Sequence, residues 1–336
     1  MMIPFNKPYT NHKEIKAMKN CLKSGWITTG PITKQFENEF ADYVGSKYAV
    51  AVSSCTSALE LCLLYMNLSK KDKVVVPSFT FAATAQAVEN AGGTVEFADI
   101  NPTDMCLDPK TVNTKGRKAV VVVDLAGNVA SRKYDIPVIV DSAHRIEYGQ
   151  CAEADYPSCF SFYATKNITT GEGGMVATND KKFYEWLLMA RHHGIKKDKP
   201  YSYSVEFTGW KANLPDILSC IGLEQIRKID DINYLRRWVV DSYNVELETN
   251  WMGLHLYPYM TDNPIKFIEY MKENGVQCSR HFQPLHKMPA FRKHNNKKLF
   301  VTELIGMRIV SLPLFPGMKK KEVKYICKLI KEYEKI

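Results

Sequence analysis

The chain has 336 residues, of which 45% are hydrophobic, 24% charged and 11% aromatic. This composition excludes a disordered, collagen-like or membrane-spanning protein, and the length predicts two globular domains. The net charge of +9 comes from basic residues that are mixed with acids along the whole chain, which favours a soluble protein or a polyanionic small ligand over a nucleic-acid groove.

The first residues, the apolar runs and the cysteines indicate the cellular compartment. The start, MMIPFNKPYTNHKE, lacks the apolar stretch of a secretory signal, and the most apolar run, Ala119–Val123, is too short to cross a membrane. Nine cysteines occur without a Cys-x-x-Cys pair, which fits neither a disulfide framework nor a zinc site. We therefore expect a cytoplasmic protein with reduced thiols and without a metal site or a membrane or nucleic-acid partner.

Short β-rich runs alternate with helical stretches through about residue 180, which is typical of an α/β domain with a largely parallel sheet. Helical spacing predicts helices over Ser57–Met66 and Ala82–Ala91. The predicted strands are Tyr48–Val52, Lys73–Val76, Thr94–Ala98, Ala119–Asp124, Pro137–Asp141, Cys159–Tyr163 and Gly174–Thr178.

A smaller second unit is predicted after a long helical region at about Asp216–Tyr243. We place the boundary near residue 240, which gives a large domain 1–240 and a small domain 241–336, and roughly the first 20 residues are expected to pack on the small one. The elements predicted there are a strand near Leu254–Tyr257, a helix over Pro264–Asn274, a strand near Val276–His281 and a final helix.

Ligands of parallel α/β sheets bind beyond the carboxyl ends of the strands, so the residues that follow each predicted strand are candidates for a site. The segment Ser53–Ser57 follows the first strand and opens a helix. Its free N–H groups, its hydroxyls and the positive end of the helix suit a phosphate. An ordinary helix N-cap is the alternative for these residues.

Two further strand ends carry residues that suit a flat ring. Asp141 ends an apolar strand, where a carboxylate needs a cation such as a protonated heterocyclic nitrogen; a turn or capping role is the alternative. His144 could orient a ring oxygen or Asp141, or be structural. Phe81 could stack on a flat ring, or belong to the core.

Lys166 lies between a strand end and the Gly-rich turn Thr169–Gly174. A lysine that is short of water and near other cations is more readily neutral, as Schiff-base formation with a carbonyl requires. A phosphate at a helix start, a stacked ring, a ring nitrogen paired to a carboxylate and an aldehyde bonded to lysine together describe pyridoxal 5′-phosphate (PLP). No single position is decisive, and the interpretation depends on their order and placement.

The sequence resembles the DegT-type nucleotide-sugar aminotransferases, which are fold-type I PLP enzymes. The resemblance implies an aspartate aminotransferase-like fold, with a mostly parallel sheet sandwiched by helices in the large domain and a small C-terminal α/β domain. The matching segments cover nearly the whole chain and include IPFNKP, SGWITTGPITKQFENEFADYVGSKYAVAVSSCTSAL, VVVPSFTFAATAQAVENAGGTVEFADI, VIVDSAH, FSFYATKNITTGEGG, RHHGI, GWKANLPDILSCIGLEQIRKID, HFQPLH and SLPLFPGM.

The resemblance also implies residue roles. Lys166 would hold the cofactor covalently and move the substrate proton, and Asp141 would keep the pyridine nitrogen protonated. Phe81 matches the family's aromatic that stacks on the cofactor ring, and His144 matches a His or Gln that lies beside that ring. Asn213 matches a residue that reaches the phosphate of a neighbouring subunit, which implies a homodimer with shared active sites. The positions that match the phosphate site are Thr56, Ser57, Ser161 and Asn213.

The implied reaction is a ping-pong transfer of an amino group from an amino acid, typically L-glutamate, to a nucleotide-linked ketosugar. Arg191, Lys211 and Arg280 are candidate contacts of the pyrophosphate, with a solvated surface charge as the alternative for each. The candidate substrate-binding residues are Thr29, Tyr163, Lys211, Arg280 and His286.

The position of amination follows from three segments. GWKANLPDI, KNIT and SLPLFP resemble members that act at C4 of the sugar, and the Asn-Ser-Arg-Leu-Asp type segment of C3 members is absent. We therefore expect a 4-keto-6-deoxyhexose substrate and a 4-amino-4,6-dideoxysugar product. The alternatives are a 3-aminotransferase, a C3 dehydratase and a non-catalytic PLP-binding or regulatory relative. A C3 dehydratase of this family has His in place of the lysine, so Lys166 argues against it.

Three features depart from the family pattern. Cys55 stands where relatives carry a small residue in the phosphate turn. Asp124–Gly127 stands in place of a His-containing segment, so any substrate role of that His is lost. The chain between Arg237 and Leu254 is also shorter than in relatives.

Overall fold

A seven-stranded sheet forms the centre of the large unit in the computed structural model, which describes residues 2–199, 202–295 and 297–335. The strands are β1 (Tyr48–Val52), β2 (Lys73–Pro77), β3 (Thr94–Ala98), β4 (Ala119–Val123), β5 (Val138–Asp141), β6 (Ser158–Ser161) and β7 (Gly174–Thr178). Their order is β1-β7-β6-β5-β4-β2-β3, and all neighbours are parallel except that β7 is antiparallel to both β1 and β6. The predicted α/β class and all seven predicted strands are confirmed, with some ends shifted by a residue or two.

Ten α-helices are found in the described parts of the chain. They are α1 (His12–Ser24), α2 (Pro31–Val44), α3 (Cys55–Tyr65), α4 (Ala82–Asn90), α5 (Lys181–Ala190), α6 (Asp216–Ile226), α7 (Ile229–Leu247), α8 (Pro264–Glu273), α9 (Phe300–Arg308) and α10 (Lys320–Tyr333). The helices predicted after β1 and β2 are α3 and α4. A hairpin of β8 (Ile195–Lys199) and β9 (Ser202–Val205) follows α5.

Helices cover both faces of the sheet. In β1, Val50 and Val52 pack with α3, α4 and α5 on one face, whereas Ala49 and Ala51 pack with α2 and α6 on the other. Strands that are buried on both faces read as continuous apolar runs, and β4, with the sequence AVVVV, is buried at every residue. The parallel strands β2 to β6 all end at the same edge of this sandwich.

The predicted helical region Asp216–Tyr243 is two helices, since the chain leaves helical geometry between α6 and α7. The predicted boundary at residue 240 falls inside α7, which belongs to two cores. Ile229 and Ile232 pack with the large unit, whereas Val239, Val240 and Tyr243 pack with residues of the second unit. One continuous helix thus connects the two units.

The strands of the second unit differ from the prediction. Its small sheet pairs β10 (Tyr257–Met260) with β11 (Ile309–Leu312), and the strand predicted near Leu254–Tyr257 shares only its last residue with β10. The strand predicted near Val276–His281 is wrong. Val276 and Ser279 make only isolated bridges, to Ile3 and Ser311, so no ladder forms there. β11 was missed because it follows α9 without a turn residue between them.

The N-terminal segment packs on the second unit through its first residues. The amide of Ile3 donates to the Gly275 carbonyl at 2.8 Å, and the amide of Leu314 donates to the Phe5 carbonyl at 3.4 Å. In contrast, α1 packs on the large unit, where the Glu14 carboxylate accepts a hydrogen bond of 2.6 Å from Gln225. Of the N-terminal residues, the first few therefore contact the second unit and α1 contacts the large unit.

Asp216 joins two helices of the large unit and supports a stability prediction. Its buried carboxylate accepts hydrogen bonds from the amides of Gly30, Ile32 and Thr33 at 2.8–3.1 Å and from the Thr33 hydroxyl at 2.6 Å. Asp216→Ala is expected to lower the free energy of unfolding by about 3 kcal/mol or more, because several buried donors lose their acceptor. Urea unfolding measures this change.

The matched control for that prediction is Asp180→Ala. Asp180 caps α5 with the same chemistry, but its side chain is exposed, so the expected loss is about 1 kcal/mol. Equal losses in the two variants would contradict the role of burial at Asp216.

Candidate active site

A cavity of about 510 Å³ lies beyond the carboxyl ends of the parallel strands. It is lined by residues of the large unit, by Phe5 and Asn6 of the N-terminal segment and by residues of the second unit. The predicted site residues that line it are Thr56, Phe81, Asp141, His144, Ser161, Tyr163, Lys166 and Arg280. The structure thus brings together the strand ends that the sequence singles out.

The first turn of α3 forms one end of this cavity. The Ser54 hydroxyl caps the helix by accepting from the Ser57 amide at 3.0 Å, and Thr56 faces the cavity. Ser57 does not line the cavity, and its hydroxyl bonds to those of Ser53 and Ser54 at 3.1 and 3.0 Å. The free amides at this helix start are oriented to receive an anion.

A close backbone contact shapes the same end of the cavity. A Cβ atom at Gly174 would lie 2.5 Å from the Ser54 carbonyl carbon and 2.6 Å from the Cys55 nitrogen. Only glycine therefore lets β7 approach the start of α3, and this approach fixes the first turn of α3 against the sheet.

Asp141 lies at the end of β5 and is 5% exposed. Its Oδ1 accepts from the Ala143 amide at 3.1 Å, and its Oδ2 accepts from the Thr84 hydroxyl at 2.9 Å. The Cys55 thiol lies 3.8 Å from Oδ1. Burial raises the pKa of Asp141, although these hydrogen bonds and the charge of Lys166 oppose the change. A cation held against this carboxylate, such as a protonated ring nitrogen, would remove the cost of burying its charge.

Lys166 lies in the turn between β6 and β7, with its side chain in the cavity. Burial lowers the pKa of Lys166 to about 8, and the neighbouring Asp141 and Cys55 oppose this change. A much larger fraction of the amine is therefore neutral near pH 7 than in an ordinary lysine, and the neutral amine is the nucleophile.

Three histidines surround the lysine, and sequence reasoning predicted only one of them. His144 accepts a hydrogen bond from the Ala126 amide on Nδ1 at 3.1 Å, which places its proton on Nε2. Its ring stacks on that of His255 at 4.2 Å, and His281 also lines the cavity. Burial, and then the neighbouring cations, lower the pKa of all three imidazoles. No strand-end pattern indicates His255, because it lies inside the predicted strand Leu254–Tyr257 and two residues before β10 begins.

Phe81 lies at the mouth of the cavity and is 63% exposed. Its ring centroid is 6.2 Å from that of Phe282, a residue of the second unit that sequence reasoning also missed. An exposed aromatic at this position has a free face for a flat ligand.

Three predicted residues lie together outside this cavity. The Asn213 amide donates to the Thr29 hydroxyl and accepts from Lys211 Nζ at 2.5 Å. Asn213 and Thr29 line a second cavity of about 1110 Å³, next to Trp26 and Arg191. The structure therefore does not place them at the Lys166 site of the same chain.

Two predicted substrate contacts already have partners within this chain. His286 is fully buried, with Nδ1 2.6 Å from the Ser78 hydroxyl and Nε2 3.2 Å from Glu303, and it does not line the Lys166 cavity. Arg191 is buried in an ion pair with Glu37 and donates to the Ala51 carbonyl at 2.6 Å. Both side chains already have structural partners, and these explain their positions.

Asp124, the first residue of the segment Asp124–Gly127, also has structural partners. It is fully buried, forms an ion pair of 2.6 Å with Arg132 and accepts from the Ser142 hydroxyl at 2.8 Å. Its amide donates to the Asp141 carbonyl at 2.9 Å. Asp124 thus joins the end of β4 to the end of β5 at the edge of the site.

The pKa of Lys166 predicts a pH dependence. The rate at which cofactor-free protein bonds to PLP is expected to rise about tenfold per pH unit below pH 8 and to level off above it, because only the neutral amine attacks the aldehyde. Stopped-flow absorption at a series of pH values measures this profile. A rate that still rises towards pH 10.5, where an unperturbed lysine titrates, would contradict the effect of burial.

The residues present fit PLP. The start of α3 suits its phosphate, Asp141 suits its ring nitrogen, Lys166 suits its aldehyde, and Phe81 and His144 border the space for its ring.

No cluster of three or more potential metal ligands is found in the described parts of the chain. Within residues 2–199, 202–295 and 297–335, no helix is both long and apolar enough to span a bilayer.

Comparisons with known proteins agree with this geometry. Residues 8–331 match the DegT/DnrJ/EryC1/StrS aminotransferase family. The chain is 30% identical to the spore coat polysaccharide biosynthesis protein SpsC of Bacillus subtilis, with 99% of this chain and 97% of SpsC covered.

Solved structures give the same result. Spr1654 of Streptococcus pneumoniae superimposes in its apo form with a TM-score of 0.91 at 26% identity, over 99% of this chain and 97% of Spr1654, and has also been solved in PLP and PMP forms. PseC of Helicobacter pylori, an aminotransferase involved in pseudoaminic acid biosynthesis, superimposes with a TM-score of 0.90 at 25% identity over the full length of both chains. The chain therefore belongs to the DegT/DnrJ/EryC1/StrS aminotransferase family, and the protein is a PLP-dependent sugar aminotransferase of fold type I.

Proposed function

We propose that the protein moves an amino group from L-glutamate to a nucleotide-linked 4-keto-6-deoxyhexose and releases a 4-amino-4,6-dideoxysugar. The observation that carries this proposal is the common cavity, which contains a lysine of lowered pKa, a buried carboxylate, the start of α3 and an arginine. The choice of C4 is supported by the segments GWKANLPDI, KNIT and SLPLFP.

The chemistry divides between the cofactor and the protein. When bound, PLP supplies an electron sink for the carbanion that forms as the substrate loses a proton. Lys166 Nζ holds the cofactor between turnovers and, once released, moves the proton to and from the substrate carbon. Asp141 holds a proton on the ring nitrogen, and its bonds to Thr84 and Ala143 orient the carboxylate.

Arg280 supports an anionic substrate. Its side chain lines the cavity and donates to the Gly306 carbonyl at 2.6 Å through Nη2. Its buried Nε has no hydrogen-bond partner among the described residues. A guanidinium with unused donors in a cavity suits a pyrophosphate or a carboxylate. We assign Arg280, with Tyr163, to substrate binding.

The second cavity supports a homodimer with shared active sites. Asn213 and Thr29 line it, away from Lys166 of the same chain, so the proposed phosphate contact of Asn213 requires a second subunit. The nearby side chains of Trp26 and Ile27 are 54% and 50% exposed, as expected for residues that a partner subunit covers. We place this dimer in the cytoplasm.

The test incubates the purified protein with glutamate and a panel of nucleotide-linked 4-keto- and 3-ketosugars, with products identified by mass spectrometry and NMR. We expect amination of the 4-ketosugars with release of 2-oxoglutarate. A 3-amino product would refute the assignment to C4, and the absence of turnover with every sugar would refute the proposed reaction.

A further inference from the structure

Three consecutive residues, Thr165 to Asn167, each form a hydrogen bond with a side chain from a distant part of the chain. The Thr165 carbonyl accepts from Asn6 Nδ2 at 3.1 Å, and the Lys166 carbonyl accepts from Arg236 Nη2 at 3.3 Å. The Asn167 side-chain oxygen lies 3.2 Å from His255 Nδ1. We call Asn6, Arg236 and His255 the lysine clamp.

Arg236 is the central member of the lysine clamp. It lies on α7, is 1% exposed, and its Nη1 donates to the carbonyls of Leu254 and Leu314 at 3.3 Å each. No carboxylate of the described residues forms an ion pair with it, and burial alone lowers the pKa of Arg236 to about 10. A buried guanidinium without a counter-charge is costly. The hydrogen bonds of Arg236 offset part of this cost, and they connect the carbonyl of Lys166 to the carbonyls of Leu254 and Leu314 in the second unit.

The other two members also connect Lys166 to the second unit. Asn6 follows Phe5, whose carbonyl accepts from the Leu314 amide and whose ring stacks on that of His281 at 5.3 Å. His255 follows Leu254, is buried, and stacks on His144 at the floor of the cavity. The turn from Thr165 to Asn167, part of the large unit, is thus fixed by the second unit and the segment packed on it.

We propose that Asn6, Arg236 and His255 are positioning residues for Lys166, which fix the main chain of residues 165–167 to the second unit so that the amine projects into the cavity. This proposal rests on the assignment of Lys166 as the residue that bonds to PLP, and it is independent of the sugar. It predicts that a change at Asn6 or Arg236 impairs the covalent bond and leaves the rest of the cofactor site intact.

A comparison of PLP with pyridoxamine phosphate (PMP) separates the two effects. In PLP, the Lys166 amine attacks the aldehyde carbon, a C=N bond forms and water leaves. PMP carries an amine in place of the aldehyde and cannot form that bond, so its affinity reports the phosphate and ring contacts alone. Borohydride reduces the C=N bond to a stable amine, and peptide mass spectrometry measures the fraction of Lys166 that carries PLP.

The variants are Asn6→Ala and Arg236→Lys, with Arg237→Lys as the matched control. Asn6 is only half-buried, so its replacement is compatible with folding even if a change at Arg236 is not. Arg237 is the next residue of α7, is half-buried and does not contact the Lys166 carbonyl. Wild-type protein and all variants are titrated with PLP and with PMP.

We expect both clamp variants to lose about tenfold or more in the equilibrium constant for the covalent bond, because a small displacement of a reacting group carries a large penalty. Their PMP affinity, and both constants of Arg237→Lys, should match those of the wild type. Equal losses for PLP and PMP, or no loss in Asn6→Ala, would overturn the positioning role. If wild-type Lys166 itself carried no PLP, the proposed function would fail together with the clamp.

Discussion

Lys166→Ala is expected to lower the rate of amino transfer by at least about 10⁴-fold, because one substitution removes both the nucleophile and the general base. PMP affinity should change little, since the start of α3 and Asp141 remain in place. Steady-state kinetics and fluorescence titration with PMP measure the two quantities. A rate within about tenfold of wild type would remove Lys166 from the mechanism.

A small amine provides a positive control for this variant. Methylamine can enter the space that the lysine side chain leaves and can take up the substrate proton, so it should restore part of the lost rate. Lys47→Ala is the matched charge control, because Lys47 is exposed, precedes β1 and does not line the cavity. It should retain wild-type activity with and without methylamine.

The sequence predicts the large sheet and its site well because both depend on local patterns. Strands that are buried on both faces are apolar throughout, as in β4, and each parallel strand ends at the same edge of the sheet. Asp141 and Lys166 could therefore be placed at one site without knowledge of the tertiary structure. The resemblance to a family then added the roles of individual residues.

The missed features depend on contacts between distant parts of the chain. Arg236 meets the carbonyl of Lys166 across 70 positions, and Asn6 meets that of Thr165 across 159. No local pattern predicts which carbonyl a buried arginine contacts. His286 shows the same dependence: its motif position predicts a site residue, and only the tertiary structure shows that its ring bonds to Ser78 and Glu303.

Asp141→Asn is expected to lower the rate of amino transfer by about 10²–10³-fold, because the ring nitrogen loses the charge that keeps it protonated. The side chain keeps its shape, so PLP should still bond to Lys166. Thr84→Val is the control: it removes one hydrogen bond to the same carboxylate and keeps the charge, so its loss should be smaller. Equal rates in Asp141→Asn and the wild type would remove the carboxylate from the mechanism.

Asp141→Asn should also lower the pKa of Lys166. Unfolding would instead raise this pKa, because an exposed lysine titrates near 10.5. The charge of Asp141 raises the pKa of Lys166 against the larger opposing effect of burial. Asn carries no charge, so the pKa of Lys166 should fall below about 8, and bonding to PLP should reach its plateau at a lower pH. Asp141→Asn is therefore expected to be slower in amino transfer yet competent to bond PLP in more acidic solution. A pH profile of PLP attachment identical to that of the wild type would show that the two groups do not interact.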